Sequence, residues 1–241
     1  MSLRDGILGL LFPRNCFGCG VTDPEPLSHL CRECLWQVQP LADPMCIRCG
    51  RPAWGQISSQ YVCSFCEDTQ PHYDRARSVL LYDGIAADMI RALKYRGALW
   101  LAGDLGAFLR HGLERFYGRE RFDLITFVPL HPLRHRLRGY NQAALLAGAV
   151  ARASGDVLVR PTLRRIRMSA SQTRLTARQR LHNVRDAFAV RRRGRRWLQG
   201  KRILLVDDVM TTGATVSECA RALKAAGAEK VCVLTAARTL Y

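Results

Sequence analysis

Eight of the ten cysteines fall into four identical C-x-x-C knuckles: Cys16/Cys19, Cys31/Cys34, Cys46/Cys49 and Cys63/Cys66. The spacers between them are eleven, eleven and thirteen residues long. Each knuckle lets two thiolates approach one metal ion from a tight turn. Two knuckles complete a tetrahedral four-thiolate site with no open position, the geometry of structural Zn²⁺. Gly20 and Gly50 directly follow two of the knuckles, where the turn is tightest. Disulfides are one alternative and iron–sulfur ligation another, but the regular spacers favour zinc. Sequential pairing puts Cys16, Cys19, Cys31 and Cys34 on one ion and Cys46, Cys49, Cys63 and Cys66 on a second; interleaved pairing stays open. This stretch has few large apolar side chains, so metal is expected to supply its folding free energy. Residues 14–70 therefore read as a double zinc ribbon. Cys219 and Cys232 lie in apolar helix and strand patterns and read as core cysteines.

Ahead of the knuckles, Leu3, Ile7, Leu10 and Leu11 have helical spacing that Pro13 ends, and such a helix would pack on the ribbon or on the second domain. The apolar run of residues 7–12 is short and no small-residue cleavage site follows it, so no secretory signal is expected. No stretch reaches the roughly 18 apolar residues of a membrane span. A cytoplasmic protein without a transmembrane segment is the expectation, which also disfavours disulfides.

The formal net charge of +17 over 241 residues is unevenly spread. Residues 1–72 hold five basic and seven acidic side chains, about −2, which leaves about +19 for the remainder. Residues 160–202 alone hold fifteen basic side chains against one acid, Asp186. Nearly all of these are arginines, whose planar fork suits phosphate oxygens. Such a charge fits a pocket for a polyphosphate metabolite, a nucleic-acid surface, or simply a solvated face.

Beyond residue 72 the apolar pattern alternates. Strand-like runs at 77–82, 124–128, 203–206 and 231–236 are separated by helical patterns at 85–95, 101–117, 143–153 and 214–226, with a polar loop expected at 129–140. Continuously apolar strands between helices indicate an α/β domain with a parallel sheet, whose ligands sit at the carboxyl ends of the strands. The expected division is 1–72 for the helix and ribbons and 73–241 for the α/β domain.

One strand end is especially informative: Ile203-Leu-Leu-Val-Asp-Asp-Val-Met-Thr-Thr-Gly-Ala-Thr215. The loop of residues 211–215 can aim backbone N–H groups and threonine hydroxyls at a phosphate on the following helix N-terminus. Gly213 permits the tight turn and a close backbone approach. Asp207 and Asp208 would repel a phosphate but suit ribose hydroxyls or a hydrated Mg²⁺. A sugar phosphate satisfies both halves.

This run resembles the signature of type I phosphoribosyltransferases. Together with the four knuckles, Val128-Pro-Leu-His-Pro132, Arg136-Leu-Arg-Gly-Tyr-Asn-Gln142 and the Gln172 to Asn183 segment, it resembles the ComF/GntX family over nearly the whole chain. The resemblance implies a type I phosphoribosyltransferase fold, a parallel sheet flanked by helices with a small hood, behind an N-terminal double zinc ribbon. It implies a site for phosphoribosyl diphosphate (PRPP) with Mg²⁺. There Asp207 and Asp208 contact the ribose hydroxyls and serve as the catalytic pair. Thr211, Thr212, Gly213, Ala214 and Thr215 bind the 5′-phosphate, and Leu130 and His131 form the pyrophosphate turn, with a cis or strained peptide among its prolines. Arg136, Arg138 and Arg174 are candidates for the diphosphate, and residues 169–185 resemble a flexible catalytic loop. Tyr140, Asn141 and Gln142 either read an acceptor or only begin the next helix.

The family link also implies natural competence and the handling of single-stranded DNA, with DNA-uptake proteins such as a helicase as partners. Arg191, Arg192, Arg193, Arg195 and Arg196 are the nucleic-acid candidates, with Trp197 and Phe188 nearby for stacking. A metabolic phosphoribosyltransferase with an unknown acceptor and a non-catalytic PRPP sensor or adaptor are the alternatives. His131 and His135 are candidates for proton transfer, with a phosphate-facing or merely exposed histidine as the alternative, and no residue identifies the base or the nucleophile.

Overall fold

The computed structural model describes residues 14–22, 26–27, 29–55, 60–153, 157–167 and 184–240. The N-terminal helix expected from Leu3 to Leu11, Arg174, and residues 169–183 of the expected catalytic loop lie outside the described residues.

The ribbon segment is the same unit built twice. In each copy the first knuckle is a turn closed by a glycine N–H on the leading cysteine, Gly20 N to Cys16 O at 2.8 Å and Gly50 N to Cys46 O at 2.9 Å. Both glycines have positive φ, 80° and 67°, the left-handed conformation that a side chain disfavours. The second knuckle of each copy opens a short helix: Cys31 precedes α1 (Arg32–Trp36) and Cys63 precedes α2 (Ser64–Thr69). In the first copy a small antiparallel pair, β1 (Pro26–Leu27) and β2 (Leu30–Cys31), leads into α1.

The second half carries a four-stranded, wholly parallel sheet. Its strands are β3 (Arg75–Leu81), β4 (Leu124–Phe127), β7 (Arg202–Met210) and β8 (Lys230–Arg238), in the order β3-β8-β7-β4. The central pair β7–β8 stays in register from Arg202↔Lys230 to Met210↔Arg238. Because β8 continues to Arg238, β7 runs four residues past the stretch expected from hydropathy. Asp207 and Asp208 therefore lie inside a paired strand rather than in the loop after it.

Helices α3 (Gly84–Tyr95), α4 (Leu101–Tyr117) and α6 (Gln142–Ala153) cover one face. Ile90, Leu93, Leu105, Leu109, Leu146 and Val150 meet Ile125, Leu204, Val206 and Leu234 there in one buried cluster. Helix α7 (Ala214–Ala225) covers the other face with Val216, Cys219, Ala220 and Leu223. Cys219 and Cys232 are both fully buried, as core cysteines should be.

The ribbons are not separate from this core. Cys16, Leu30, Cys31 and Cys34 join the cluster under α3 and α4, whereas Cys46, Cys49, Cys63 and Cys66 join the cluster under α7. The linking chain also covers the free edge of β3, with Leu41 N on Val79 O and Leu81 N on Gln39 O, both at 2.8 Å. An edge strand so covered offers no open ladder to another chain.

Two local expectations are corrected. Residues 129–140 are not all loop, because α5 (Pro132–Arg138) forms within them. Pro132 starts it without losing a needed N–H, the His131 side chain caps Leu133 N, and Gly139 (φ 80°) stops it. In addition, the peptides of the proline turn are trans; the cis peptide among the described residues is Asp43-Pro44. His131 there is plainly extended (φ −63°, ψ 142°), the conformation of a helix cap. A small antiparallel pair, β5 (Leu163–Arg165) with β6 (Phe188–Val190), and a 3₁₀ segment at Arg192–Trp197 stand apart from the main sheet.

Candidate functional site

The carboxyl ends of β3, β4, β7 and β8 open into one cleft of about 780 Å³. Of the expected residues, Leu130, Arg138, Asp207, Asp208, Thr211, Gly213 and Thr215 line it. Thr212 and Ala214 are buried beneath the loop. His131 and Arg136 are not among the lining residues: His131 caps α5, and Arg136 is exposed on that helix. From the same helix Arg134 and Leu137 line the cleft instead. Asn141 holds the turn after β4 by donating Nδ2–H to Val128 O (3.0 Å) and caps α6 by accepting from Ala143 N (2.9 Å). It therefore positions the wall, whereas Tyr140 and Gln142 are part of it.

The loop from Thr211 to Gly213 delivers the N-terminus of α7 to the cleft. Gly213 has φ 83°, and a Cβ there would sit 2.6 Å from Met210 Cε and 3.2 Å from the Tyr73 hydroxyl oxygen. Both backbone freedom and space demand glycine. The N-cap residue of α7, Gly213, has no side chain to cap it, and Thr212 Oγ1 accepts from Ala214 N at a long 3.4 Å, so this helix start suits an anion.

The acidic pair is buried, Asp207 at 8% and Asp208 at 4% exposure. Asp207 Oδ1 accepts from Asp208 N at 2.9 Å, and Asp208 Oδ1 accepts from Val209 N at 2.6 Å. Burial, and then the adjacent charge of Asp208, push the Asp207 carboxyl up to about 8. Asp208 Oδ2 is buried with no hydrogen-bond partner, an acceptor suited to a sugar hydroxyl or to water on a hard cation.

Three elements contribute residues that the motifs did not indicate: Lys94, Tyr95 and Gly97 at the end of α3, Arg165 from β5, and Thr239 after β8. Lys94 Nζ lies 3.0 Å from Asp208 Oδ1. No local pattern marks Lys94 as part of the site, since it follows an apolar helix face like any terminal cation.

The cysteines pair sequentially. Cys16, Cys19, Cys31 and Cys34 form one cluster and Cys46, Cys49, Cys63 and Cys66 the other, with their sulfurs within 4.8 Å of one another. The Cys19–Cys31 and Cys49–Cys63 sulfurs are 3.6 Å apart, far beyond the ~2.05 Å of a disulfide. Sulfurs at about 2.3 Å from a tetrahedral zinc would stand at nearly that separation. Within the second cluster, hydrogen bonds from Cys49, Cys63 and Cys66 hold Cys46 low, while Cys46, Cys49 and Cys63 push Cys66 up. Four thiolates so crowded need a divalent ion to ionise together, so the residues fit zinc.

Arg238 joins this cluster to the cleft. It is fully buried, donates Nη1–H to Cys49 O (2.5 Å), and points Nη2 at Cys49 Sγ (3.6 Å) and Nη1 at Met210 Sδ (3.9 Å). A buried guanidinium needs a counter-charge, and a four-thiolate zinc site, net −2, supplies one.

A second cleft, about 460 Å³, is lined by Arg164, Arg191, Arg192, Arg195 and Arg221 over Phe188 and the alanines of α7. Its stacking capacity is smaller than expected. Phe188 is 4% exposed, and Trp197 is half-buried with Arg160 and Arg196 over its ring at 5.2 and 5.0 Å.

The parallel sheet, the loop under α7 and the paired four-cysteine clusters define a phosphoribosyltransferase-fold protein with a double zinc ribbon. Family comparison agrees: residues 7–69 match the double zinc ribbon domain and residues 141–239 the phosphoribosyl transferase domain. The chain is 33% identical to the DNA utilization protein YhgH of Salmonella typhimurium, covering 96% of this chain and all of that one. Competence protein F of Haemophilus influenzae is 28% identical over 94% of this chain and 98% of its own, and competence protein ComFC of Bacillus subtilis 27% over 83% and 79%. The chain belongs to the ComF/GntX family. Among the described residues, no helix is long and apolar enough to cross a membrane.

Proposed function

We propose that the larger cleft binds PRPP with Mg²⁺ and supports pentosyl transfer. The observation that carries this reading is the juxtaposition of the buried acidic pair, whose Asp208 Oδ2 lacks a partner, with the start of α7 behind Gly213, whose N-cap residue supplies no side chain. Ribose hydroxyls would donate to Asp207 and Asp208, and the 5′-phosphate would accept from the N–H groups and hydroxyls of Thr211 to Thr215. Arg134 and Arg138 line the cleft wall with Leu130, and would meet the diphosphate end. In the transfer an acceptor atom bonds to ribose C1 as the C1–O bond to the diphosphate breaks. Diphosphate leaves, and the acceptor loses its proton. Mg²⁺, when bound, neutralises the leaving diphosphate. The arginines stabilise the same developing charge. The experiment is to incubate the protein with PRPP, Mg²⁺ and a panel of nucleobases and nucleotides while assaying pyrophosphate. Release with at least one acceptor is expected; none with any acceptor restricts the site to binding.

A second reading, DNA handling, is favoured by the arginine-lined second cleft and by the names of the relatives. Arg191, Arg192, Arg193, Arg195 and Arg196 would follow a single-stranded backbone, with DNA-uptake proteins as partners. Affinity for a single strand should fall steeply with salt, and neutralising these five should reduce the log–log slope by about 3 to 4. An unchanged slope would remove this surface from DNA binding. Eight thiol ligands support a reducing compartment, the cytoplasm, as its proposed location, with 1–72 and 73–241 as its two proposed modules.

A further inference from the structure

We propose that Lys94 is a tethered counter-cation of the Asp207–Asp208 pair, excluding free divalent ions from it so that metal enters the cleft only together with a phosphorylated sugar. The last clause rests on the function proposed above; the exclusion itself does not.

Lys94 sits in the last turn of α3, which brings its ammonium 3.0 Å from Asp208 Oδ1. Its side chain is 17% exposed and that of Asp208 5%, so the pair is shielded from solvent. Burial opposes the charge on Lys94, but the charge and hydrogen bond of Asp208 outweigh it and raise its pKa. Burial and the charge of Asp208 likewise push the neighbouring Asp207 carboxyl up. The ammonium thus already offsets the charge of Asp208 at close range, leaving less net charge there to attract a metal ion. Arg165 stands on the same side, where it also stabilises the ionised form of Asp207.

The residue type fits this task. Only four of the 37 basic residues are lysines: Lys94, Lys201, Lys224 and Lys230. The other three form ion pairs with side chains 31–49% exposed. A lysine offers a compact point charge, close in shape to a metal ion, where an arginine would spread its charge over a fork. An ammonium on a flexible stem can also withdraw when sugar hydroxyls and their accompanying metal take over Asp208.

The test uses Mn²⁺ alone as the probe, on the zinc-loaded full chain at pH 7.5, read by the paramagnetic resonance of free Mn²⁺. Wild type is expected to show no Mn²⁺ site in the submillimolar range. Lys94→Met should gain one site, bound at least about tenfold more tightly, as expected for removing a unit charge from beside a carboxylate. Lys94→Gln, which keeps a hydrogen-bonding group without the charge, should gain it too and serves if the methionine variant does not fold. Lys94→Arg should not gain it, and adding Asp208→Asn to Lys94→Met should abolish it. Equal Mn²⁺ binding by wild type and both neutral variants overturns the proposal, as does a gained site that survives Asp208→Asn. A gained site in a protein that PRPP fails to stabilise would leave the exclusion of free metal by Lys94 standing and reject the PRPP reading.

Discussion

Removal of both metal ions by a chelator is expected to lower the unfolding midpoint by more than about 10 °C and to loosen the parallel sheet as well as the ribbons. Metal analysis before treatment should return about two zinc ions per chain. A structural zinc site contributes on the order of 10–16 kcal/mol in isolated modules, comparable to the ~5–15 kcal/mol net stability of a whole domain. Loss of such a term alone would unfold residues 14–70. The consequence reaches further, because Cys46, Cys49, Cys63 and Cys66 share a buried cluster with Leu205, Val231 and Val233 of the sheet. Arg238 would also be left buried without its thiolate counter-charge, a defect of roughly 3–5 kcal/mol. Cys66→Ser should therefore disturb the end of β8 and the cleft more than Cys34→Ser, because Arg238 of β8 is bonded to Cys49 of the second cluster. Hydrogen exchange at residues 202–210 and 230–238 reads this directly. Unchanged protection there after complete metal loss would show that the second ribbon does not support the cleft.

Asp207→Asn is expected to raise stability while abolishing the response to PRPP. A carboxyl whose folded pKa is raised, here from 3.8 to about 8, disfavours folding increasingly as pH rises from about 4 to about 8, and by a constant amount above. Asparagine removes that penalty and keeps the Oδ1 acceptor for Asp208 N. The gain should be absent near pH 3.5 and reach on the order of 2–4 kcal/mol at pH 7, about 5–10 °C in midpoint. At a hundredfold excess over its Kd, PRPP with Mg²⁺ should stabilise wild type by about 2.7 kcal/mol. That shift should vanish in Asp207→Asn and in the Asp207→Ala, Asp208→Ala double variant. Loss of stability at pH 7 in Asp207→Asn would refute a protonated buried Asp207, and a retained PRPP shift would remove it from the site.

The residues legible from sequence were those whose chemistry is local. The knuckles announce themselves because a C-x-x-C turn closes within four residues, and the loop at 211–215 because a strand, a turn and a helix start are contiguous. Lys94, Arg165 and Thr239 reach the same cleft from three elements far apart in the chain, so no window of sequence could join them. Helix α5 was hidden by its polar composition, although Pro132 and Gly139 mark its two ends in the usual way. Phe188 illustrates the converse: its arginine-rich surroundings suggest an exposed stacking surface, but the β5–β6 pairing turns it into the core.

From the sequence alone came the ligand set of two four-cysteine sites, the parallel α/β class and the sugar-phosphate character of one loop, since each depends on spacing or on the chemistry of neighbouring residues. Tertiary structure decided how the cysteines pair, that each ribbon shares a core with the sheet domain, and that a lysine from α3 faces the acidic pair. Those facts depend on which faces the sheet leaves to be covered. The extension of β7 to Met210 is of the same kind: only its partner β8, running on to Arg238, supplies the hydrogen bonds that keep two aspartates within a strand.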